Sequence, residues 1–357
     1  MGKFQVLVVE VGAIKPHAQA DRLSWVTIQE AGNVPVVFRT GDLVEGQLAV
    51  YFPIDSVIPE SVPGTSFLGS HRRIRAMRLR GMYSEGLILP AQNVLDKPVK
   101  GQDVSSFLGV KKHEDPIPVK MGGEQVANPG LPTYEVESLG GFPCILSEDE
   151  DVVITEKLHG TNARFALVDG RFYAGSHHCF WRDMRSGWRE WKRWGENLLR
   201  RLKKETPRPP PLDNVYWQIA RKHDLEEKMY REGYYDFSIY GEIFGDIQDL
   251  KYGHGKGEIS FYVFDVWDSQ KKGWLGWDDT VEVARRMGLA VVPVLYRGAY
   301  HDGLLKKLVD GDSILASHIR EGIVLKTTAE SEPGVGRFII KMVSQQYKLR
   351  NNPSELK

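Results

Sequence analysis

Within seven residues, Glu156-Lys157-Leu158-His159-Gly160-Thr161-Asn162 brings together a carboxylate, an amine, an imidazole and an amide. A lysine at the end of an apolar strand is ordinarily a solvated charge, since Lys is rarely buried unless paired. It becomes a nucleophile when desolvation or a neighbouring cation lowers its pKa and exposes the free amine. The spacing Lys-x-x-Gly-x-Asn favours the second role. Gly160 lets the backbone turn close to a ligand, and Asn162 returns an amide towards it. Further along, Ser238-Ile239-Tyr240-Gly241-Glu242 ends a strand in Gly-Glu and sets a carboxylate where the backbone approaches a ligand. A different chemistry is offered by Arg72, Arg73, Arg75, Arg78 and Arg80, five arginines in nine residues with no acid among them. Such a run suits a charged edge strand that blocks aggregation. It suits phosphate contact better, because guanidinium forks match phosphate oxygens. Arg73, Arg75, Arg78 and Arg80 are therefore the nucleic-acid candidates.

These residues need elements to hold them. The run Val152-Val153-Ile154 reads as a buried strand that feeds the lysine turn. Ala163–Val168 and Arg171–Ala174 form a hairpin through Asp169-Gly170. Residues 181–204 place Trp188, Trp191, Trp194 and Leu198 at helical spacing with a basic opposite face, and Pro207–Pro211 ends that helix. A second helix is expected over about Asn214–Glu232. Next come the strand to Glu242 and a strongly apolar strand, Ser260–Trp267. Helices near Thr280–Met287 and Asp302–Asp310 bracket a strand at Ala290–Leu295. Two further strands carry Glu321–Lys326 and Gly336–Ser344. Ahead of all this, Phe4–Val11, Leu23–Gln29, Val36–Phe38, Leu48–Phe52 and Gly86–Leu89 are short strands separated by turn residues, the pattern of a small barrel. Between the two halves, breakers such as Pro116, Pro118, Gly122-Gly123 and Pro129–Pro132 read as a linker. The division is 1–110, linker 111–141, and 142–357.

Length and composition fit two soluble domains, with 41% apolar and 26% charged residues over 357 positions. With only Cys144 and Cys179 there is no disulfide framework, so a reducing, cytoplasmic setting is expected. No apolar run approaches a membrane span and none marks a leader. Formal net charge is zero, so any nucleic-acid affinity must come from local patches.

The chain resembles the covalent nucleotidyltransferases, and within them the ATP-dependent RNA ligases. Lys157-Leu158-His159-Gly160-Thr161-Asn162 after Glu156 is similar to the nucleophile motif. Tyr240-Gly241-Glu242 resembles the motif whose glutamate binds ribose or metal. Phe264 in Tyr262-Val263-Phe264-Asp265 resembles the aromatic that packs on adenine, with Tyr262 as the alternative. Asp265 is expected on the opposite strand face, ending the strand. Glu321-Gly322-Ile323-Val324-Leu325-Lys326 resembles the metal-binding fourth motif, and Lys341 in Ile339-Ile340-Lys341 the last. There the family usually shows Lys-x-Lys, and here Ile339 takes the first place, which leaves Lys326 and Arg337 as candidates for the missing charge. Where the family carries Ser-Arg, this chain has Ser176-His177, with Arg171 and Arg182 as substitutes.

The segment around Met77–Leu89 resembles the OB modules of tRNA-binding proteins. An OB module in front resembles the RNA ligases with an N-terminal OB domain. The fold class implied is α+β: an OB-fold β-barrel, then a nucleotidyltransferase domain of antiparallel sheets with flanking helices. The activity implied is sealing of 3′-hydroxyl and 5′-phosphate ends, with RNA on the 3′-hydroxyl strand of a nick, through lysyl-AMP and an adenylylated 5′-end. Lys157, Glu242, Glu321 and Lys341 would be catalytic. Glu156, Lys157, His159, Gly160, Asn162, Glu242, Phe264, Lys326 and Lys341 would bind ATP. Glu242, Glu321 and Asn162 would hold Mg²⁺ or Mn²⁺. The implied partner is RNA or an RNA-containing nicked duplex, with no membrane and no obligate protein partner. A GTP-dependent capping enzyme, a DNA ligase and a non-catalytic OB-type tRNA binder are the alternatives.

Overall fold

The structure is a computed structural model that describes residues 4–113, 124–134, 136–138, 146, 149–183, 196, 198, 200, 202, 214–301, 303–329 and 338–349. The N-terminal strands assemble as expected, with edges moved by a residue or two. Leu48–Phe52 pairs antiparallel with Leu7–Glu10 on one side and Leu87–Pro90 on the other. Leu23–Ile28 pairs with Val34–Arg39, and its strict alternation buries Ser24, Val26 and Ile28. Val8, Val50, Phe52 and Val104 centre one apolar cluster, while Val9, Val26, Val36 and Tyr51 centre a second. A hairpin that the hydrophobic pattern did not signal, Ala76–Leu79 with Met82–Glu85, carries Arg78, and Arg80 sits in its turn at φ +46°.

The C-terminal half is built on two antiparallel-rich sheets. The larger has eight strands, centred on Thr161–Val168, Phe237–Gly245 and Ile259–Asp268. One face is covered by the helices Val215–Lys222, Leu225–Glu232 and Trp277–Met287 through Phe165, Ile219, Met229, Val263 and Met287. The expected single helix over 214–232 is broken at Asp224, which sits in the left-handed region at φ +51°. Trp277–Met287 opens with Asp278 and Asp279 and closes with Arg285 and Arg286, charges that complement the helix dipole. The smaller sheet has five strands, in the order Glu137–Ser138, Ile339–Val343, Gly322–Thr327, Asp151–Glu156, Val294–Ala299. The two sheets meet through Val153, Leu158, Phe244 and Val292. Among the described residues no helix is long and apolar enough to cross a membrane.

The stretch read as a linker is structured where described. Lys111–Lys112 pairs with Ser56–Val57 of the barrel, Gln125–Val126 joins the large sheet, and Glu137–Ser138 runs parallel to Ile340–Lys341. The tryptophan helix near 181–204, the Pro207–Pro211 connector and Arg337 lie mostly or wholly outside the described residues.

Candidate active site

Lys157 leaves the end of Asp151–Glu156 and projects between the sheets, into a cavity of about 300 Å³ that it lines with Glu156, Asn162, Glu242, Phe264, Lys326 and Lys341. Its Nζ donates to Glu321 Oε1 at 2.7 Å, and the side chain is 26% exposed. Asn162 and Glu242 face each other across paired strands. Val324 pairs with Lys341 in register, so the last two motifs are neighbours across the small sheet.

Charge decides the protonation states here. Burial alone would lower the Lys157 pKa, but the carboxylates of Glu321 and Glu242 outweigh it and hold the amine above its ordinary value. Beside these acids Lys157 is a firmly held ammonium rather than the depressed amine a nucleophile needs. Burial pushes Glu242 up to about 8 against the opposing pull of Lys157, and the charge of Glu321 adds to the rise. Glu321 is also raised by burial, yet the charge of Lys157 and the nearby His159 overcome this and keep it below the usual range. Burial separates two like carboxylates into one proton holder and one anion.

Gly160 is required by packing as well. A Cβ there would lie 2.1 Å from the Ile243 carbonyl oxygen, so the neighbouring strand approaches its backbone closely. The Gly160 N–H also donates to the Glu242 carboxylate, which fixes the carboxylate beside Lys157. His159 has its Nε2 2.6 Å from Asp249 Oδ1 and its Nδ1 2.8 Å from the Tyr347 hydroxyl.

Two further expectations change. Asp265 does not end its strand or face away from Phe264. The register shifts between Tyr240 and Gly241, so that Tyr240 pairs with Asp265, Gly241 pairs with Val263, and Phe264 is the extra residue of a β-bulge. A bulge breaks the two-residue alternation on which the sequence argument relied. Fully buried Asp265 accepts from Tyr134 at 2.8 Å and lies 3.4 Å from the Lys326 ammonium. Lys326 thus lines the cavity while also donating to the Phe264 carbonyl. The substitutes named for the family arginine move as well. Arg171 lies at the exposed far end of its hairpin and Arg182 pairs with Glu124 at 2.9 Å, while His177 and His178 line the cavity.

Sequence reasoning missed Tyr134. Its ring lies 4.5 Å from Phe264 and 5.1 Å from Trp274, forming an aromatic wall from the segment read as a linker. Pro132 just before it accepts from both Tyr240 and the buried Arg164, which anchors that wall. No periodicity surrounds Tyr134, so only the three-dimensional contacts reveal it. In the barrel, Arg73 is committed to Asp55 through two donors at 2.7 and 3.0 Å, and Arg72 to backbone carbonyls of Ile58, Pro59 and Thr65. Arg75, Arg78 and Arg80 are exposed.

The oxygens fit a hard divalent cation. Asn162 Oδ1 and Glu321 Oε2 are buried without a hydrogen-bond partner, next to Glu242. Among the described residues no group of three His, Cys, Asp or Glu side chains converges, so water and phosphate oxygens would complete the shell, as Mg²⁺ prefers.

An OB barrel followed by two antiparallel sheets meeting over a lysine is the architecture of the nucleotidyltransferases that act on polynucleotides. A family profile described as RNA ligase matches residues 150–343, and the chain belongs to that family. A second profile, of an OB-fold domain, matches residues 6–91. Among solved structures, the chain is similar to a mutant Naegleria gruberi RNA ligase with ATP and Mn, at 22% identity and a TM-score of 0.77, covering 98% of this chain and 99% of that one. A mutant with AMP and Mn gives 22% identity, a TM-score of 0.78 and the same coverage. An apo mutant gives 21%, 0.78, and 98% of both chains. At these identities the likeness is one of fold. Comparison with curated proteins finds no match.

Proposed function

We propose that this chain is an ATP-dependent RNA ligase that seals 3′-hydroxyl to 5′-phosphate ends at nicks with RNA on the 3′-hydroxyl strand. The observation that carries the reading is Lys157 held between Glu321 and Glu242 over a cavity walled by Phe264 and Tyr134. The barrel, 1–110, would grip polynucleotide, while 142–357 does the chemistry and the 124–138 segment completes its wall. A cytoplasmic setting suits its two cysteines.

In the first step the Lys157 amine attacks the α-phosphorus of ATP. A P–N bond forms, the bond to the β-phosphate bridge breaks, and pyrophosphate leaves. The AMP then passes to a 5′-phosphate oxygen, forming an anhydride and returning the lysine. A 3′-hydroxyl attacks that 5′-phosphorus, the phosphodiester forms, and AMP departs. Glu242, Glu321 and Asn162 would hold a divalent cation, which when bound neutralises phosphate charge and disfavours the Lys157 ammonium. Lys341, on the cavity wall, would neutralise the α-phosphate. His159 would meet the leaving pyrophosphate or the polynucleotide end. Phe264 would stack on adenine.

The direct test is α-labelled ATP or GTP with Mg²⁺ or Mn²⁺, followed by denaturation. Retained AMP and sealing of an RNA-containing nick are expected. GTP labelling would move the reading to capping, and no label with either nucleotide, on protein free of prior AMP, would end it.

Two predictions follow from the cavity's acids. Glu156 is 1% exposed; its Oε2 accepts from the Ile314 N–H, and its Oε1 has no partner. An orphan acceptor in a base pocket favours adenine's 6-amino donor over guanine's 6-oxo acceptor, so Glu156→Gln should narrow the ATP over GTP preference by about 10- to 100-fold. The ratio of labelling rates with the two nucleotides reads this directly.

Glu242, raised from 4.5 to about 8, must lose its proton to bind metal. Apparent Mn²⁺ affinity should therefore rise by about tenfold per pH unit on approaching the Glu242 pKa, and flatten above it. Calorimetric titration in buffers of different ionisation enthalpy would show the released proton. For stability the sign is opposite. The folded form binds this proton better than the unfolded chain, so the contribution is full below pH 4.5 and is lost as pH rises to about 8.

A further inference from the structure

The short helix Gln345–Leu349 touches both halves of the molecule through adjacent residues. Tyr347 packs edge-on to His159, with ring centres 5.5 Å apart, and its hydroxyl lies 2.8 Å from Nδ1. Asp249 can only accept when ionised, so Nε2 carries the ring proton, and in the neutral ring Nδ1 accepts from the tyrosine. The same Nδ1 is 3.5 Å from Glu321, whose other oxygen holds Lys157. The helix is itself anchored, since the Tyr347 N–H donates to Ser344 Oγ and that hydroxyl donates to Asp310 at 2.7 Å.

One residue on, Lys348 crosses to the barrel. Its Nζ is 2.6 Å from Glu85 Oε1, with side chains 20% and 12% exposed. The other Glu85 oxygen accepts from Tyr83, which pairs in register with Arg78. The hairpin so gripped is the one that exposes Arg78 and Arg80. A continuous line of contacts therefore joins the arginine hairpin, Glu85, Lys348, Tyr347, His159, Glu321 and Lys157.

We propose that this helix is a strut that sets the distance between the arginine hairpin and His159, so that a polynucleotide strand held on the hairpin reaches the Lys157 cavity in register. Tyr347 and Lys348 are positioning residues of the polynucleotide steps, a role that rests on the ligase reading. ATP needs only the cavity between the sheets, whereas the nucleic acid must span both halves. Loosening the strut should therefore separate the steps.

The experiment measures two rates on each full-length variant: labelling of Lys157 by ATP, and sealing of a nick already carrying 5′-adenylate. Lys348→Glu sets like charges against Glu85. It should leave labelling within about threefold and slow sealing by about ten- to a hundredfold, the scale on which a misplacement of about 1 Å acts. Lys348→Glu combined with Glu85→Lys restores the ion pair reversed and should restore sealing. Tyr347→Phe, which removes the hydroxyl while keeping the packing, should slow sealing without rescue by the charge swap. Parallel loss of both rates, unchanged sealing in Lys348→Glu, or failure of the swap to rescue would each overturn the strut. Those results leave the ligase reading intact, whereas an unlabelled parent chain would remove both.

Discussion

Lys157→Arg is expected to lose covalent nucleotide labelling, to below about one part in 10⁴ of the parent rate, while keeping its fold. The replacement preserves a cation opposite Glu321, the anion that holds Lys157 protonated, and beside Glu242. A guanidinium stays charged at any accessible pH, so it can satisfy the carboxylates but cannot supply a free electron pair. Lys157→Ala should lose labelling to the same degree and also lower the melting temperature, because the buried Glu321 anion would then lose its counter-charge. The pair of variants separates nucleophile from counter-ion. Gel detection of labelled protein after denaturation, together with a thermal melt, measures both. Label retained in Lys157→Arg would show that another residue is the nucleophile.

How far the sequence reveals this site depends on the kind of signal. Strands with strong apolar alternation, such as Leu23–Ile28 and Leu48–Phe52, fall within a residue or two of expectation, since burial of one face fixes the pattern. Lys157, Asn162, Glu242, Phe264 and Lys341 converge on one cavity because each stands on or next to such a strand. Local irregularity is what escapes. The bulge at Phe264 has no hydrophobic signature, and it turns Asp265 from a strand end into the anchor of Lys326. Tyr134 escapes because its segment has breakers and no period, yet its hydroxyl finds Asp265 across 131 positions of chain.

Charge is less legible than pattern. The arginine run looks uniform in sequence, but Asp55 claims Arg73 and backbone carbonyls claim Arg72, which leaves Arg75, Arg78 and Arg80 at the surface. At Gly160 the spacing gives no sign of the close backbone approach from a strand over eighty positions away. Partners brought together by topology, such as Asp249 and Tyr347 around His159, leave no trace in local spacing.

Glu321→Gln places the two proposed roles of that carboxylate in opposition. As the anion 2.7 Å from Nζ, Glu321 keeps Lys157 protonated, so neutralising it should lower the amine's pKa and enlarge the reactive fraction. That gain is limited to about tenfold for each unit the pKa falls. As a metal ligand, Glu321 supports charge stabilisation at the α-phosphate worth several kcal/mol, or about 10³-fold in rate for 4 kcal/mol. The second effect is the larger. Glu321→Gln should therefore label about 10²- to 10³-fold more slowly at neutral pH with saturating Mn²⁺, and its rate should level off at a lower pH than the parent's. A pH–rate profile of single-turnover adenylylation displays the lowered plateau and the displaced limb separately. A variant faster than the parent at neutral pH would make Glu321 a restraint on the ammonium alone, and would shift the metal to Glu242 and Asn162.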